Sequence, residues 1–306
     1  MKIGIIGLGY WGKHYIRLIN NNPTVTLVAL CDINQNNLDK FSYLNVNCFT
    51  DYKELFKSKL IDTIIIVTIA SEHYKIIECA LTYNLNIFVE KPIVTNLNDC
   101  IKIKNSMNNT NTKLMTGYTY LFNPKIDYIY NYIKGNNLNI KSIHFEWTCF
   151  GPIRNDVSPI LDLGVHPISI LLKLFPNDEF HKFNTYSTNT KNTYFISFNI
   201  KDIIIFINLS WSNPGKTRKM IINDESTKII FDDVSNINPI SIYTSNKSKA
   251  TSDNPQPIMT DGDIIIPEIE DKEPLKEQIN YFINNDINIG NIDFSIKLMK
   301  IIDQIS

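Results

Sequence analysis

No C-x-x-C pair occurs in this sequence. Its five cysteines, Cys31, Cys48, Cys79, Cys100 and Cys149, are scattered, which suggests neither a zinc site nor a disulfide framework and fits a reduced, cytoplasmic setting. An excess of one charge is also lacking. A formal net charge of −1 and a pI near 6.5 argue against nucleic acid or an anionic membrane surface as partner. Apolar runs such as Ile61 to Ala70 are too short to span a bilayer, and an apolar strand starting at Lys2 leaves no room for a signal peptide. What remains is ordinary globular composition, 43% hydrophobic and 20% charged over 306 residues, enough for two domains and a sizeable core.

The chain is organised around its first stretch. Lys2 to Ile6 is an apolar, β-branched run that breaks into Gly7-Leu8-Gly9-Tyr10-Trp11-Gly12, the spacing G-x-G-x-x-G, followed by a helical pattern with Trp11, Tyr15, Leu18 and Ile19 apolar. Strand, tight turn and helix are the context a dinucleotide requires. Gly7 permits the turn, Gly9 lets backbone approach a pyrophosphate, and Gly12 lets helix and strand pack closely, with the helix N-terminus toward the anion. A second apolar strand, Thr26 to Cys31, ends in Asp32, twenty positions after Gly12, where a carboxylate accepts from a ribose 2′-hydroxyl. The alternative is that the glycines end a strand and Asp32 caps the next helix.

From residue 1 to 118, short apolar strands alternate with amphipathic helices, which predicts an α/β, doubly wound parallel sheet. After Tyr118 the rhythm changes. A helix near Pro124 to Lys134, a strand over Ile140 to Cys149, an irregular stretch to Pro159 and a helix reaching Phe175 lead into strands near 181–187, 193–200, 203–210, 217–223 and 228–232. Ser245 to Asp263, rich in Pro, Ser, Asn and Asp, is expected to be a mobile loop, and helices near 273–284 and 293–305 close the chain. Residues 119–306 are thus expected to form a second, α+β domain with an open, mainly antiparallel sheet. The uncovered sheet face implies a homodimer or homotetramer packed sheet on sheet.

Two places carry residues suited to proton chemistry. Glu90-Lys91-Pro92 ends an apolar strand at the edge where a nicotinamide would lie, so Lys91 can assist a substrate hydroxyl or simply form a strand-end salt bridge with its neighbour. In Asp162-Leu163-Gly164-Val165-His166 a carboxylate precedes an imidazole by four residues. On a helix Asp162 orients His166 as a general base; otherwise the pair is a cap and a packed histidine. Pro167 requires the helix either to kink or to start there.

Taken together, Gly7 to Gly12, Thr68 followed by His73, Glu90-Lys91-Pro92 and Asp162 to His166 resemble the glucose-fructose oxidoreductase, inositol dehydrogenase and rhizopine catabolism (Gfo/Idh/MocA) family, in the family's order. The resemblance implies a nicotinamide-dependent dehydrogenase acting on a sugar or polyol hydroxyl. It implies a Rossmann domain over 1–118 that holds NAD through Gly7, Gly9, Tyr10, Trp11, Gly12, Asp32, Thr68, His73, Glu90 and Lys91, and a substrate and oligomerisation domain over 119–306. Lys91 matches the family's active-site lysine, His166 its proton-transfer residue and Asp162 the carboxylate before it. Pro92 is similar to a proline often preceded by a cis peptide. Tyr118 and Asn123-Pro124 resemble the interdomain crossing, with Tyr118 expected to line the substrate pocket. Phe150 to Asp156 looks like the matching stretch of nucleotide-sugar members, especially the UDP-N-acetylglucosamine 3-dehydrogenases that serve surface-glycan or lipid A synthesis. Arg154 there can meet a diphosphate or sugar oxygen, or hold its own loop through Asp156.

These residues imply removal of a hydroxyl proton by His166, NAD favoured over NADP because Asp32 repels a 2′-phosphate, and no metal. Inositol or free-sugar oxidation and ketosugar reduction use the same residues. A non-catalytic NAD-binding regulator would not need the pair Lys91 and His166.

Overall fold

The computed structural model describes residues 1–247 and 259–306. The run Lys2–Ile6 forms β1, and the glycines after it release the chain into helix α1, Gly12–Asn20. The alternation continues through β2 (Thr26–Cys31), α2 (Gln35–Asp39), β3 (Asn47–Phe49), α3 (Tyr52–Lys57), β4 (Thr63–Ile66), α4 (Ala70–Thr82), β5 (Asn86–Glu90), α5 (Leu97–Met107) and β6 (Leu114–Gly117). Asn34, Asp51 and Asn96 start α2, α3 and α5 by accepting N–H groups of the first turn. The strands pair in parallel in the order β3-β2-β1-β4-β5-β6. Winding reverses between β1 and β4, and there a doubly wound sheet opens its crevice at the carboxyl ends of the strands.

Beyond these come α6 (Pro124–Gly135), β7 (Ser142–Phe150), a π-helical turn Ile160–Gly164, α7 (Val165–Leu174), β8 (Phe180–Ser187), β9 (Thr193–Ile200), β10 (Ile203–Ser210), β11 (Ser212–Asn223), β12 (Thr227–Asp232), β13 (Ile240–Lys247), β14 (Met259–Ile265), α8 (Pro274–Asn284) and α9 (Ile292–Ile305). An eight-stranded sheet runs β14-β13-β12-β11-β7-β10-β9-β8, antiparallel except for the pair β7 and β10. Its strands alternate as a one-sided sheet should. Ile205, Ile207 and Leu209 are buried, whereas Ile204, Phe206 and, on β9, Phe195 are exposed.

The loop expected over 245–263 is not borne out at its ends. Ser245 lies in β13 and Asp263 in β14, paired antiparallel, because the sheet supplies partners that local composition does not reveal; 248–258 lie outside the described residues. β11 also begins earlier than expected, at Ser212, reached through an irregularity before Thr217.

Two compact units emerge, Met1–Phe122 with Glu273–Asp303, and Asn123–Lys272 with Gln304–Ser306. The expected boundary, with everything after residue 118 in one domain, therefore differs from the chain's own division. The reason is packing: α8 sets Leu275, Ile279 and Phe282 into one core with Ile3, Ile5, Leu30 and Phe88. The Phe282 ring meets Phe88 edge-on at 5.6 Å, and Thr116 N–H on β6 donates to the Gly290 carbonyl at 2.8 Å. Phe282→Ala is expected to destabilise the first unit by about 3–5 kcal/mol. Denaturant unfolding followed through that unit tests this; a loss under about 1 kcal/mol would show that α8 is dispensable to the core.

Candidate functional site

The glycine turn is shaped by backbone crowding. Gly7 has φ +92°, and a Cβ on it would meet the Val67 carbonyl oxygen at 2.6 Å. A Cβ on Gly12 would collide with the Gly7 carbonyl oxygen. Gly9 differs, because a Cβ there would meet nothing within 4 Å. No protein atom demands glycine at that position, whereas a pyrophosphate lying against the backbone does. The α1 N-terminus has no side-chain cap and no acidic residue in its first turn, which keeps its positive end available to an anion. Tyr10 and Trp11 stand exposed there, their rings T-shaped with centroids 5.6 Å apart. These residues fit a dinucleotide.

Asp32 serves the same turn. Its Oδ2 accepts the Leu8 N–H at 2.7 Å and its Oδ1 the Asn34 N–H at 2.8 Å, so one carboxylate joins the glycine turn to the start of α2. A carboxylate oxygen has two lone pairs, so each can still accept a ribose hydroxyl.

At the ends of β4 and β5, His73 is buried. Its Nδ1 lies 2.8 Å from the Pro92 carbonyl oxygen and its Nε2 3.1 Å from that of Thr68. The imidazole therefore joins two strand-end loops, which differs from the expected direct cofactor contact, since burial leaves it no face to offer. The Lys91–Pro92 peptide is cis. Glu90 accepts from the Tyr15 hydroxyl through Oε1, and from the Lys91 N–H at 3.0 Å through Oε2. Burial pushes its carboxyl above the usual range, against the opposing Tyr15 hydrogen bond and Lys91 charge.

Tyr118 departs from expectation. It is 1% exposed, its ring against Phe294 at 5.3 Å and its hydroxyl donating to Ser295 Oγ at 3.3 Å. It anchors β6 to α9 instead of lining a pocket, because the core of the first unit extends to the C-terminal helices.

In the second unit Asp162 lies in the π-helical turn and His166 in the first turn of α7. Pro167 explains the widened turn: it offers no N–H, and its ring crowds the carbonyl four residues back. Gly164 lets the turn sit on β10, where a Cβ would meet Leu209 Cδ1 at 3.0 Å. Both Asp162 oxygens are held, Oδ1 by Arg154 Nη1 at 3.2 Å and Oδ2 by Trp211 Nε1 at 3.1 Å. Arg154 also forks onto Asp156, Nε to Oδ1 at 2.9 Å and Nη2 to Oδ2 at 2.6 Å. Of the two roles open to Arg154, the structure displays loop holding, and these hydrogen bonds raise its pKa, Asp156 foremost. Trp211 carries no local motif, and sequence reasoning missed it. Lys91 belongs to the first unit and His166 to the second.

Among the described residues, no cluster of three or more His, Cys, Asp or Glu could hold a metal ion, and no helix is long and apolar enough to cross a membrane.

The chain is similar to inositol 2-dehydrogenase of Salmonella typhimurium, 33% identical over 108 residues, 34% of this chain and 32% of that enzyme. It thus spans about a third of that relative's length. In fold it is similar to UDP-N-acetylglucosamine 3-dehydrogenase from Acidithiobacillus ferrooxidans, with a TM-score of 0.82 at 17% identity over 100% of this chain and 96% of that one. It is also similar to GenD2 from gentamicin A biosynthesis, solved in complex with NAD, with a TM-score of 0.80 at 15% identity over 100% and 93%. The oxidoreductase family with an NAD-binding Rossmann fold, Gfo/Idh/MocA, matches residues 1–118, and in those residues the chain carries that family's nucleotide-binding domain.

Proposed function

We propose that this protein is an NAD-dependent dehydrogenase that oxidises a secondary hydroxyl of a nucleotide sugar, with C3 of UDP-N-acetylglucosamine the first candidate, in the cytoplasm and in the service of surface-glycan or lipid A precursors. The observation that carries the cofactor half is Gly9, a glycine with open space where a side chain would stand, beside the Asp32 carboxylate. The sugar half is supported by the loop Phe150 to Asp156 and by a fold shared over the whole chain with a UDP-N-acetylglucosamine 3-dehydrogenase. Inositol or a free sugar is the second reading, favoured by the similarity to inositol 2-dehydrogenase.

When bound, NAD supplies the hydride acceptor. Gly7, Gly9, Tyr10, Trp11 and Gly12 hold its pyrophosphate and Asp32 its ribose hydroxyls, while Asp32 disfavours a 2′-phosphate by like charge. Thr68, His73 and Glu90 shape the strand-end loops around it. Lys91 donates a hydrogen bond to the substrate hydroxyl oxygen, and His166 takes the hydroxyl proton as general base. Asp162, fixed by Arg154 and Trp211, positions that imidazole and favours its protonated form. Arg154 acts on the substrate through Asp162, and its unused guanidinium donors can still meet a sugar oxygen.

The exposed face bearing Tyr186, Phe195, Ile204 and Phe206 is proposed to be covered by a second copy of the chain, since an apolar patch of that kind marks an interface.

The functional test is a panel of UDP-, dTDP- and GDP-sugars, inositol and free sugars, each with NAD+, read as NADH appearance. Turnover of a nucleotide sugar supports the proposal, turnover of inositol alone moves it to the second reading, and none with any contradicts it. Asp32→Ala should weaken NADH about tenfold, as loss of a charged acceptor costs about 1.5 kcal/mol or more, while raising affinity for NADPH relative to NADH. Equal loss of both would instead mark collapse of the glycine turn. His166→Ala should lower kcat by about 10²–10⁴-fold at unchanged NADH affinity; a variant that turns over normally removes it from the chemistry. Phe206→Glu should dissociate the assembly by light scattering, and an unchanged mass would place the interface elsewhere.

A further inference from the structure

Burying a polar side chain costs free energy unless it is hydrogen-bonded, and the first unit buries an amide that packing alone does not call for. Gln278 on α8 is 0% exposed. Its Nε2 donates to the Tyr15 hydroxyl at 3.3 Å, and its Oε1 is buried without a partner among the described residues. Tyr15 on α1, also fully buried, donates in turn to Glu90 Oε1, and Glu90 Oε2 accepts the Lys91 N–H at 3.0 Å. Amide, phenol and carboxylate thus form one chain that runs from α8 to the peptide joining Glu90 to Lys91. A leucine would occupy the space of Gln278 and leave no carbonyl unpaired.

We propose that Gln278 is a positioning residue for the Glu90–Lys91–Pro92 turn, acting through Tyr15: it turns the phenolic hydrogen toward Glu90 and so holds the carboxylate on the Lys91 amide. The consequence for catalysis rests on the dehydrogenase reading above; the hydrogen-bond chain does not.

The chain has two possible directions. With Glu90 ionised, Gln278 donates to Tyr15 and Tyr15 to Glu90. With Glu90 protonated, its own O–H can donate to the Tyr15 oxygen, the Gln278 amide turns over so that its carbonyl accepts the Tyr15 hydrogen, and the Lys91 amide loses a charged acceptor. Burial raises both the Glu90 and Tyr15 pKa, whereas the Tyr15 hydrogen bond lowers that of Glu90 and the Gln278 hydrogen bond lowers that of Tyr15. Gln278 therefore makes Tyr15 the better donor. The groups facing Glu90 are Tyr15 from α1 and Lys91 from its own turn; α8 brings a neutral amide, and His73 on α4 bonds Pro92 at the far side of the turn.

The test is thermal unfolding of the full chain from about pH 4 to 8.5, for wild type, Gln278→Leu, Glu90→Gln and the double variant. A carboxyl whose pKa is raised on folding contributes stability below its unfolded pKa and loses it as pH rises through the folded value. Breaking the chain raises the Glu90 pKa further, so the Tm of Gln278→Leu relative to wild type should fall by about 2–4 °C across this range. In the Glu90→Gln background that fall should vanish. A Tm difference independent of pH, or one that persists with Glu90→Gln, overturns the proposal, since a packing effect alone gives either. On the substrate found by the panel, Gln278→Leu should lower kcat about tenfold at unchanged KM for NAD+; an unchanged kcat also overturns it. If wild type turns over nothing, the dehydrogenase reading fails while the unfolding series still decides the hydrogen-bond chain.

Discussion

Two stretches of backbone must come within contact distance at the end of β1, and the first unit depends on it. Gly7 turns with a positive φ against Val67, and Gly12 passes its α-carbon against the Gly7 carbonyl, so a side chain at either position would force strand and helix apart. The tightness of that turn aims the N-terminus of α1 over the carboxyl ends of β1 and β4. Asp32 makes the arrangement rigid by accepting the Leu8 N–H at 2.7 Å. Gly7 and Gly12 are explained by the turn itself, whereas Gly9 has open space where a side chain would stand, as a site for a pyrophosphate against the backbone requires.

Polar groups elsewhere follow a comparable logic of confinement. In the second unit a single guanidinium, Arg154, bonds two carboxylates, while the Trp211 indole N–H takes the remaining Asp162 oxygen. Shared donors of this kind hold a carboxylate in one orientation. In the first unit the cis Lys91–Pro92 peptide is gripped on both sides, by Glu90 at the Lys91 amide and by His73 at the Pro92 carbonyl. The two grips come from different elements, a strand end and a helix, so the Lys91–Pro92 peptide is held by more than its local turn.

How far the sequence could be read follows from the range of each signal. Three glycines, the Asp32 carboxylate and the proline after Lys91 stand at fixed spacings from a strand end, so spacing reveals them even where their contacts, Asp32 with Leu8 and Gly7 with Val67, are distant in sequence. The apolar stripe of α8 states that Leu275, Ile279 and Phe282 are buried but not against what, and hence its return to the nucleotide-binding unit was invisible. Tyr118 reads equally well as a pocket wall or a core residue until Phe294 and Ser295 are seen beside it. Pro167 announced a disturbed helix, but not that the disturbance would be a π-helical turn, nor that Gly164 would seat that turn on β10 beside Leu209. Pro, Ser and Asn between residues 245 and 263 gave a loop signal strong enough to hide the ends of two paired strands, because strand pairing is decided by neighbours and not by composition.

The proposed function turns on carbon-bound hydrogen leaving the sugar for the nicotinamide of a dinucleotide whose pyrophosphate lies on the glycine turn. UDP-N-acetylglucosamine deuterated at C3, incubated with this protein and NAD+, tests it by mass spectrometry of the recovered dinucleotide. The account predicts one deuterium on the reduced nicotinamide and a 3-oxo sugar in equal amount. Deuterium retained on the sugar or lost to water, with the nicotinamide unlabelled, would contradict it.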